Sequence, residues 1–433
     1  MMLMSTPSLS RRLTISLVLV TFTLMACTPT STDLASRLPG TWRAVLQVPG
    51  GELPFGLEFT AKGDRLEALL VNGPDRVTVT EITIKDSTLR LRMPGFENVL
   101  DASLEGEGLV GTLTMIKKGG AEQKIPFTAR RGEAFRFSTD ETQAATADDI
   151  TVSGRWAVTF GEAEKASPAV GEFTQQGRRV TGTFLTPTGD HRFLAGEVRG
   201  RELKLSKFDG GHVFLYRATL GDDGRLQGRF WSGTASVETF TAQRDENASL
   251  GEAENRTTLA GKADRLDFRF PDVGGSSISI TDPFFRGKVI VVALAGSWCP
   301  NCHDEAAFLA ELHRRKRAQG FEVISLMFEQ FGDFARAAEA TYRFRDRHRI
   351  EYTTLIAGTS DKDDAAAKLP QLSGVYAFPT TIFVDRQGKV RKIHTGFSGP
   401  ATGVHYERLI GEFEKTVDAL LVEPALNRPI PQV

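Results

Sequence analysis

The sequence predicts a multidomain protein in which two β-rich repeat domains, each a small antiparallel barrel or sandwich, precede a C-terminal α/β domain. Residues 28–134 and 150–244 consist of short alternating segments broken by Gly, Pro and Asp, as is typical of β-strands and their turns. From residue 264 to residue 422, apolar runs of strand length alternate with helical patterns. A chain of 433 residues is long enough for several domains, because one domain usually takes about 100–200 residues.

The two β-rich regions share residue patterns at a constant spacing, which indicates that they are repeats of one unit. We expect about seven or eight short strands in each unit, with the equivalent residues Trp42 and Trp156 in the cores. Two polar stretches without periodicity, 135–149 and 245–263, are predicted to be linkers. The matching patterns, each pair 114 positions apart, are Gly40-Thr41-Trp42 with Gly154-Arg155-Trp156, Glu58-Phe59-Thr60 with Glu172-Phe173-Thr174, and Leu89-x-Leu91 with Leu203-x-Leu205.

The composition of the chain is that of an ordinary globular protein, with 40% hydrophobic and 25% charged residues. Its formal net charge is only -1, so the chain as a whole has no electrostatic attraction to nucleic acid or to an acidic membrane surface. We therefore expect no nucleic-acid partner.

The N-terminus carries the pattern of an export signal. Two arginines precede the mostly apolar, uncharged run 13–26, which is too short to span a bilayer, since a spanning helix needs about 20 residues. The end of this run, Leu24-Met25-Ala26-Cys27, resembles the lipobox of bacterial lipoproteins, which are cleaved before the Cys and lipidated on its sulfur. An ordinary secretory signal and an uncleaved anchor are the alternatives. We expect residues 1–27 to be a lipoprotein signal peptide with its lipobox Cys.

Lipid attachment at Cys27 implies a membrane partner and a location in the cell envelope, facing the periplasm. The outer membrane is preferred, because Thr28 is not the Asp that retains many such lipoproteins at the inner membrane.

The C-terminal pattern predicts an α/β sandwich around a mixed sheet. The run 289–295 is continuously apolar, as in a strand that is buried on both faces. The further predicted elements are a helix that reaches about residue 318, a strand at 321–328, a helix at 333–348, strands at 352–357, 380–385 and 390–394, and a final amphipathic helix at 404–421.

A Cys-Pro-Asn-Cys motif stands where the strand 289–295 leads into the following helix. The chain has three cysteines, so lipidation of Cys27 leaves only Cys299 and Cys302. A bridge between residues this close constrains little of the unfolded chain, which favours redox chemistry over a structural role. The helix N-terminus stabilises a thiolate, so we expect Cys299 to be the nucleophile and the more buried Cys302 to be the resolving thiol.

Other chemistries for this motif are less well matched. Structural zinc takes four ligands, and the chain has no second Cys pair. A copper carrier that uses the Cys pair with His394 or His405, a thiol peroxidase, and an adaptor whose β repeats do the binding remain the alternatives. We expect no metal and no other cofactor, because the Cys299–Cys302 disulfide itself is the redox group.

Residues 266–421 resemble the TlpA/ResA-like thioredoxin family of exported, usually reducing, thiol–disulfide oxidoreductases. The resemblance implies a thioredoxin-like α/β fold for this domain and says nothing about the repeats. The segments that carry it are Phe285-Arg286-Gly287-Lys288-Val289, Trp298-Cys299-Pro300-Asn301-Cys302, Glu305, Tyr376-Ala377-Phe378-Pro379-Thr380-Thr381, and Phe383-Val384-Asp385-Arg386-Gln387-Gly388.

The resemblance also implies roles for individual residues. Pro379 matches the cis-proline whose loop lies against the Cys pair and presents backbone groups to the substrate. Glu305 matches an acid that influences protonation of the pair, and Trp298 is expected to pack beside Cys299. The implied partners are an exported Cys-containing protein, apocytochromes included, as substrate, and an unknown membrane electron donor.

Two positions depart from the thioredoxin pattern. Classical thioredoxins place a buried Asp six residues ahead of the first Cys, where this chain has Ala293. Proton transfer is therefore expected to depend on Glu305, on another acid such as Glu329, or on water. His303 replaces the Lys or Arg that often follows the second Cys.

Overall fold

The computed structural model describes residues 31–63, 65–85, 87–251 and 256–424. The predicted signal peptide and Cys27 lie outside the described residues. Two large antiparallel sheets come first and are termed the first and second β units; a mixed sheet flanked by helices forms the C-terminal domain. No helix in the described part of the chain is both long and apolar enough to cross a membrane.

The first β unit is a nine-stranded antiparallel meander that follows a short helix, α1 (Ser31–Arg37). Its strand order is β4-β3-β2-β1-β9-β8-β7-β6-β5, so the sheet stays open between β4 and β5. The strands are β1 (Gly40–Val48), β2 (Gly51–Lys62), β3 (Arg65–Asn72), β4 (Asp75–Val79), β5 (Ile82–Lys85), β6 (Thr88–Arg92), β7 (Val99–Glu105), β8 (Gly108–Ile116) and β9 (Glu122–Arg131).

The second β unit has the order β11-β10-β18-β17-β16-β15-β14-β12-β13, and an additional pairing of β11 with β12 closes it into a barrel. Closure removes the unpaired edges that an open sheet exposes. The strands are β10 (Gly154–Phe160), β11 (Ser167–Gln176), β12 (Arg179–Thr186), β13 (Gly189–Asp190), β14 (Leu194–Arg199), β15 (Glu202–Phe208), β16 (Val213–Leu220), β17 (Arg225–Ser232) and β18 (Ser236–Arg244).

The predicted repeat is visible in the strand pairing of the two units. In each unit the first strand pairs with the second and with the last, and the rest of the meander follows the same order. Trp42 and Trp156 are buried at the third position of these first strands, and each indole donates a 2.8 Å hydrogen bond to the carbonyl four residues earlier, Leu38 or Val152. Each unit has nine strands, more than the seven or eight expected.

The predicted linker 135–149 does connect the two units, but it is partly buried between them. Arg136 donates to the Asn72 carboxamide of the first unit at 3.0 Å and to the Ser206 hydroxyl of the second at 2.8 Å. Burial lowers the pKa of Arg136 to about 9. The Phe208 ring enters the core of the first unit, 4.9 Å from the Phe55 ring centroid, so the two units share packed apolar side chains.

The C-terminal domain contains a five-stranded sheet in the order β23-β22-β21-β24-β25, with a small ribbon of β19 (Arg269–Pro271) and β20 (Ser277–Ser279) before it. Strands β21, β22 and β23 are parallel, whereas β24 and β25 run antiparallel to their neighbours. The elements are β21 (Val289–Ala295), α2 (Pro300–Lys316), β22 (Phe321–Glu329), α3 (Phe334–His348), β23 (Thr353–Thr359), α4 (Lys362–Lys368), β24 (Thr380–Val384), β25 (Val390–Thr395) and α5 (Val404–Leu421).

The predicted strands and the three long helices of this domain are confirmed within a few residues at each end; α4 and the ribbon were not predicted. Every residue of β21 is buried, which matches its continuous apolar pattern. Because β24 runs antiparallel to β21, Leu294 near the end of β21 pairs with Thr380 at the start of β24. The loop after β21 and the loop before β24 therefore meet at one edge of the sheet.

Candidate active site at the Cys-Pro-Asn-Cys motif

Cys299 is the N-cap residue of helix α2. Its sulfur accepts a hydrogen bond from the backbone N–H of Cys302 at 3.4 Å, and Pro300 occupies the first helical turn, where no N–H partner is needed. The Cys299 thiol in turn donates to the backbone carbonyl of Phe378 at 3.2 Å. Cys299 is 5% exposed and Cys302 is fully buried, which agrees with the order expected for attacking and resolving thiols.

Burial raises the pKa of Cys302 well above its usual value, and the neighbouring Cys299 and the charge of Glu305 raise it further. A thiol with a raised pKa is a poor nucleophile until a base removes its proton. The site therefore needs a proton acceptor close to Cys302.

Glu305 lies one turn after Cys302 and is 1% exposed. Burial raises the pKa of its carboxyl to about 8, although a hydrogen bond from the Thr381 hydroxyl acts in the opposite direction. Thr381 pairs with Ala293 across β21 and β24. Strand β21 has no acid at Ala293, but Glu305 of helix α2 lies beside Thr381, the residue that pairs with Ala293. Helix α2 thus supplies an acid at that position along the sheet.

Glu329, the other acid considered, supports the backbone ahead of the motif. Its carboxylate accepts from the Ser297 N–H at 3.0 Å and from the Ser297 hydroxyl at 2.7 Å. Burial raises the pKa of Glu329 to about 7. Trp298, which follows Ser297 in the chain, donates a hydrogen bond from its indole N–H to the Phe328 carbonyl at 2.8 Å. Its ring packs edge-on against the Phe378 ring.

The peptide bond between Phe378 and Pro379 is cis. The carbonyl of Phe378 accepts the hydrogen bond from the Cys299 thiol. The structure thus brings together Trp298, Cys299, Cys302, Glu305 and Pro379, all five of the residues that the sequence placed at the site.

His303 has a structural role that the sequence did not reveal. Its Nε2 lies 2.7 Å from the Ser297 carbonyl and must donate to it, so Nδ1, 2.7 Å from Nε2 of His348, accepts from that imidazole. Burial lowers the pKa of His303 well below its usual value, which favours the neutral ring that this pattern requires. The ring also packs 4.3 Å from that of Phe96, in the first β unit.

The two histidines of the copper-carrier alternative have other partners. His405 lies 2.9 Å from the Glu172 carboxylate of the second β unit, and His394 packs against the Phe413 ring of α5. The described residues contain no group of three or more His, Cys, Asp or Glu side chains that could hold a metal ion.

Comparison with known proteins matches residues 260–407 to the family described as Redoxin. The thiol-disulfide oxidoreductase ResA of Geobacillus thermodenitrificans is 29% identical over 141 residues, which are 33% of this chain and 72% of the relative. ResA of Halalkalibacterium halodurans is 27% identical over 169 residues, 39% of this chain and 87% of the relative. The C-terminal domain belongs to the TlpA/ResA-like thioredoxin-fold family. It is a thiol–disulfide oxidoreductase domain.

Two solved structures are similar to somewhat over a third of the chain. A putative thiol:disulfide interchange protein DsbE from Chlorobium tepidum is 21% identical, with a TM-score of 0.29, and the match covers 38% of this chain and 99% of that one. A secreted thiol-disulfide isomerase from Corynebacterium glutamicum is 21% identical, with a TM-score of 0.29, and the match covers 40% and 96%.

The second β unit contacts the TlpA/ResA-like domain at the motif itself. The Asn301 amide, between the two cysteines, donates to the Asp190 carboxylate at 3.1 Å and to the Phe397 carbonyl at 3.2 Å. The same Asp190 oxygen accepts from the Gly399 N–H at 2.6 Å. Asn301 is 8% exposed, so the dipeptide of the motif lies in an interface and not on an open surface.

An ionic cluster ties the same β unit to helix α2. The Arg192 guanidinium lies 2.7 Å from the Asp209 carboxylate and 2.9 Å from that of Asp304, two residues after Cys302. Lys207 pairs with Asp209 at 2.8 Å, and both side chains are fully buried. Burial raises the pKa of Asp304 to about 6 even beside the arginine. These four charged residues lie on different elements and form no periodic pattern, so the cluster could not be predicted from the sequence.

Proposed function

We propose that the chain is an exported, lipid-anchored thiol–disulfide oxidoreductase that reduces disulfides of exported Cys-containing proteins. The observation that carries the proposal is the placement of Cys299 at the N-cap of α2, where its sulfur meets a backbone N–H and the carbonyl that precedes Pro379. The proposed layout is a lipoprotein signal peptide at 1–27, β repeats at 28–134 and 150–244, and the redox domain at 264–422.

The reaction follows from this geometry. The Cys299 thiolate attacks a substrate disulfide, forms a mixed disulfide and releases one substrate thiolate, which takes up a proton. Glu305 in its ionised form accepts the Cys302 proton, and the Cys302 thiolate attacks the Cys299 sulfur. The second substrate thiolate is expelled and takes up a proton. Two electrons pass from the pair to the substrate, and a membrane electron donor returns the Cys299–Cys302 disulfide to the dithiol.

Two further residues contribute to this mechanism. The backbone next to Pro379 pairs with the extended segment around the substrate cysteine. Trp298 shields the Cys299 sulfur from water on the side where its ring meets Phe378.

The Cys302→Ser variant tests the mechanism directly, because a serine in place of the resolving thiol leaves the mixed disulfide intact. We expect covalent adducts with an exported Cys-containing protein that reducing agents release on non-reducing gels. The Cys299→Ser and Cys299→Ser/Cys302→Ser variants are matched controls and should form no such adducts. Adducts that require Cys302 instead of Cys299 would contradict the assigned order of attack.

The direction of electron flow is tested by the reduction potential of the pair. A value near about −270 mV would identify a reductase, as proposed, and one near about −120 mV an oxidant. Equilibration of the purified chain with glutathione redox buffers measures it.

Anchoring is tested at Cys27. We expect Cys27→Ser to block lipidation, so the protein should either leave the detergent phase or migrate as an unprocessed precursor. The Cys299→Ser variant is the matched control, because it also removes one thiol but should remain in the membrane fraction. Unchanged migration and membrane partition of Cys27→Ser would show that another segment anchors the chain.

A further inference from the structure

A cavity of about 280 Å³ lies where the two β units meet the redox domain, and is termed the junction cavity. Trp298 and Pro300, the neighbours of Cys299 on either side, form part of its wall. The other walls come from all three parts of the chain and include the apolar side chains of Phe96, Met115, Phe214 and Phe331.

Close contacts with the redox motif fix the walls of the junction cavity. Gly211 of the second β unit lies so close to Pro300 that a Cβ there would come within 2.7 Å of the proline Cγ. Asn98 of the first unit donates to the Gly210 carbonyl at 2.7 Å and accepts from the Ile116 N–H at 2.9 Å. The loops that surround the cavity therefore hold one another in place beside Cys299.

Lys117 gives the junction cavity its charge. Its Nζ makes only a long contact, 3.9 Å, with the Met115 sulfur, and it forms no ion pair with any described residue. The two carboxylates in the walls interact with other residues. Glu97 forms an ion pair with Arg343 at 2.8 Å, and Glu329 accepts a hydrogen bond from Ser297. A half-buried ammonium that has no counter-ion among the described residues favours an anionic ligand.

We propose that the junction cavity binds the residues that flank the substrate cysteine, and that Lys117 selects an acidic side chain among them. An extended polypeptide advances about 3.3 Å per residue, so a cysteine bonded to Cys299 carries residues a few positions away past Trp298 into the cavity. The inference rests on the proposed function and defines its substrate class: extended segments with Asp or Glu near the cysteine. The β units then contribute to substrate selection.

The test uses fluorescent peptides whose single cysteine forms a mixed disulfide with 2-mercaptoethanol. Paired peptides carry Glu or Gln at one of three positions on either side of the cysteine, and kcat/KM is measured for the full chain in its dithiol form. We expect an approximately tenfold preference for Glu over Gln at one or two adjacent positions, the value of a charge-assisted hydrogen bond. Added salt should reduce the preference.

Three variants locate the source of the preference. Lys117→Gln should remove it and Lys117→Arg should retain it, because arginine keeps the charge. The matched control Lys118→Gln should also retain it, because the exposed Lys118 ammonium pairs with Asp361 outside the cavity. Near-ultraviolet circular dichroism verifies that each variant is folded.

Equal rates for Glu and Gln peptides at all positions, or a preference that survives in Lys117→Gln, would overturn the inference while leaving the proposed function intact. Failure to reduce any peptide, Gln peptides included, would instead count against the proposed function. The two failures are therefore distinguishable in one data set.

Discussion

Replacing Glu305 with glutamine should stabilise the redox domain above pH 7 and make its stability much less dependent on pH. The folded pKa of Glu305 is about 8 and its ordinary value is 4.5, so between these values the folded state holds a proton that the unfolded state has lost. The contribution of Glu305 to the free energy of unfolding is therefore fully present below about pH 4.5. As the pH rises from 4.5 to 8, this contribution falls by roughly 1.4 kcal/mol per pH unit. Glutamine keeps the shape and removes the titration.

Urea unfolding at pH 5, 6, 7 and 8 measures this effect. Glu311→Gln is the matched control, because Glu311 lies on the same helix but its side chain is 55% exposed. Glu329, with its pKa raised to about 7, and Asp304, with its pKa raised to about 6, act in the same direction and contribute to the pH dependence that remains. The Glu305→Gln variant should also exchange disulfides more slowly and change the pH profile of Cys299 alkylation. Profiles that superimpose on those of the wild type would reduce Glu305 to a buried helix residue without a proton-handling role.

Replacing Arg192 with methionine should cost about 3–5 kcal/mol, the usual effect of removing one partner from a buried ion pair. In this variant Asp209 would still pair with Lys207. Asp304 would lose its ion pair with Arg192, which is the one ion pair that it forms with a described residue. The loss should be larger at pH 8 than at pH 5, since Asp304, with its pKa raised to about 6, can take up a proton instead.

Denaturant unfolding, followed separately by far-ultraviolet circular dichroism and by tryptophan fluorescence, measures the loss. Arg201→Met is the control: the Arg201–Asp222 pair is exposed, with side-chain exposures of 50% and 98%, so its loss should cost less than about 1 kcal/mol. The two probes should separate for Arg192→Met as the β unit loosens from helix α2. Coincident transitions, with a cost as small as that of the control, would show that the cluster does not couple the two parts.

Local patterns account for what the sequence predicted correctly. The apolar run of β21, the helical periodicity of α5 and the Cys pair at a strand–helix junction each show in a single window of sequence, and the equivalence of Trp42 and Trp156 follows from the repeat. The number of strands was underestimated because short strands such as β13, only two residues long, resemble turns.

The contacts around the motif could not be predicted in the same way. Asn301 and Asp190 are 111 positions apart, and Arg192 and Asp304 are 112 apart, so no window contains both partners. Isolated polar residues also carry no periodic pattern that marks them as buried. The sequence therefore predicted which residues lie together at the site, but not the surroundings that the β units supply.

The hydrogen bond between Asp190 and Asn301 has a thermodynamic consequence. Asn301 belongs to the redox ring that closes when Cys299 and Cys302 oxidise, while Asp190 belongs to the β unit that rests on it. Attachment of the β unit and oxidation of the pair are therefore linked equilibria, and linkage is reciprocal. The free energy of attachment can differ between the dithiol and disulfide forms. The same difference must then separate the free energies of reduction of the attached and the detached domain, and so their reduction potentials differ.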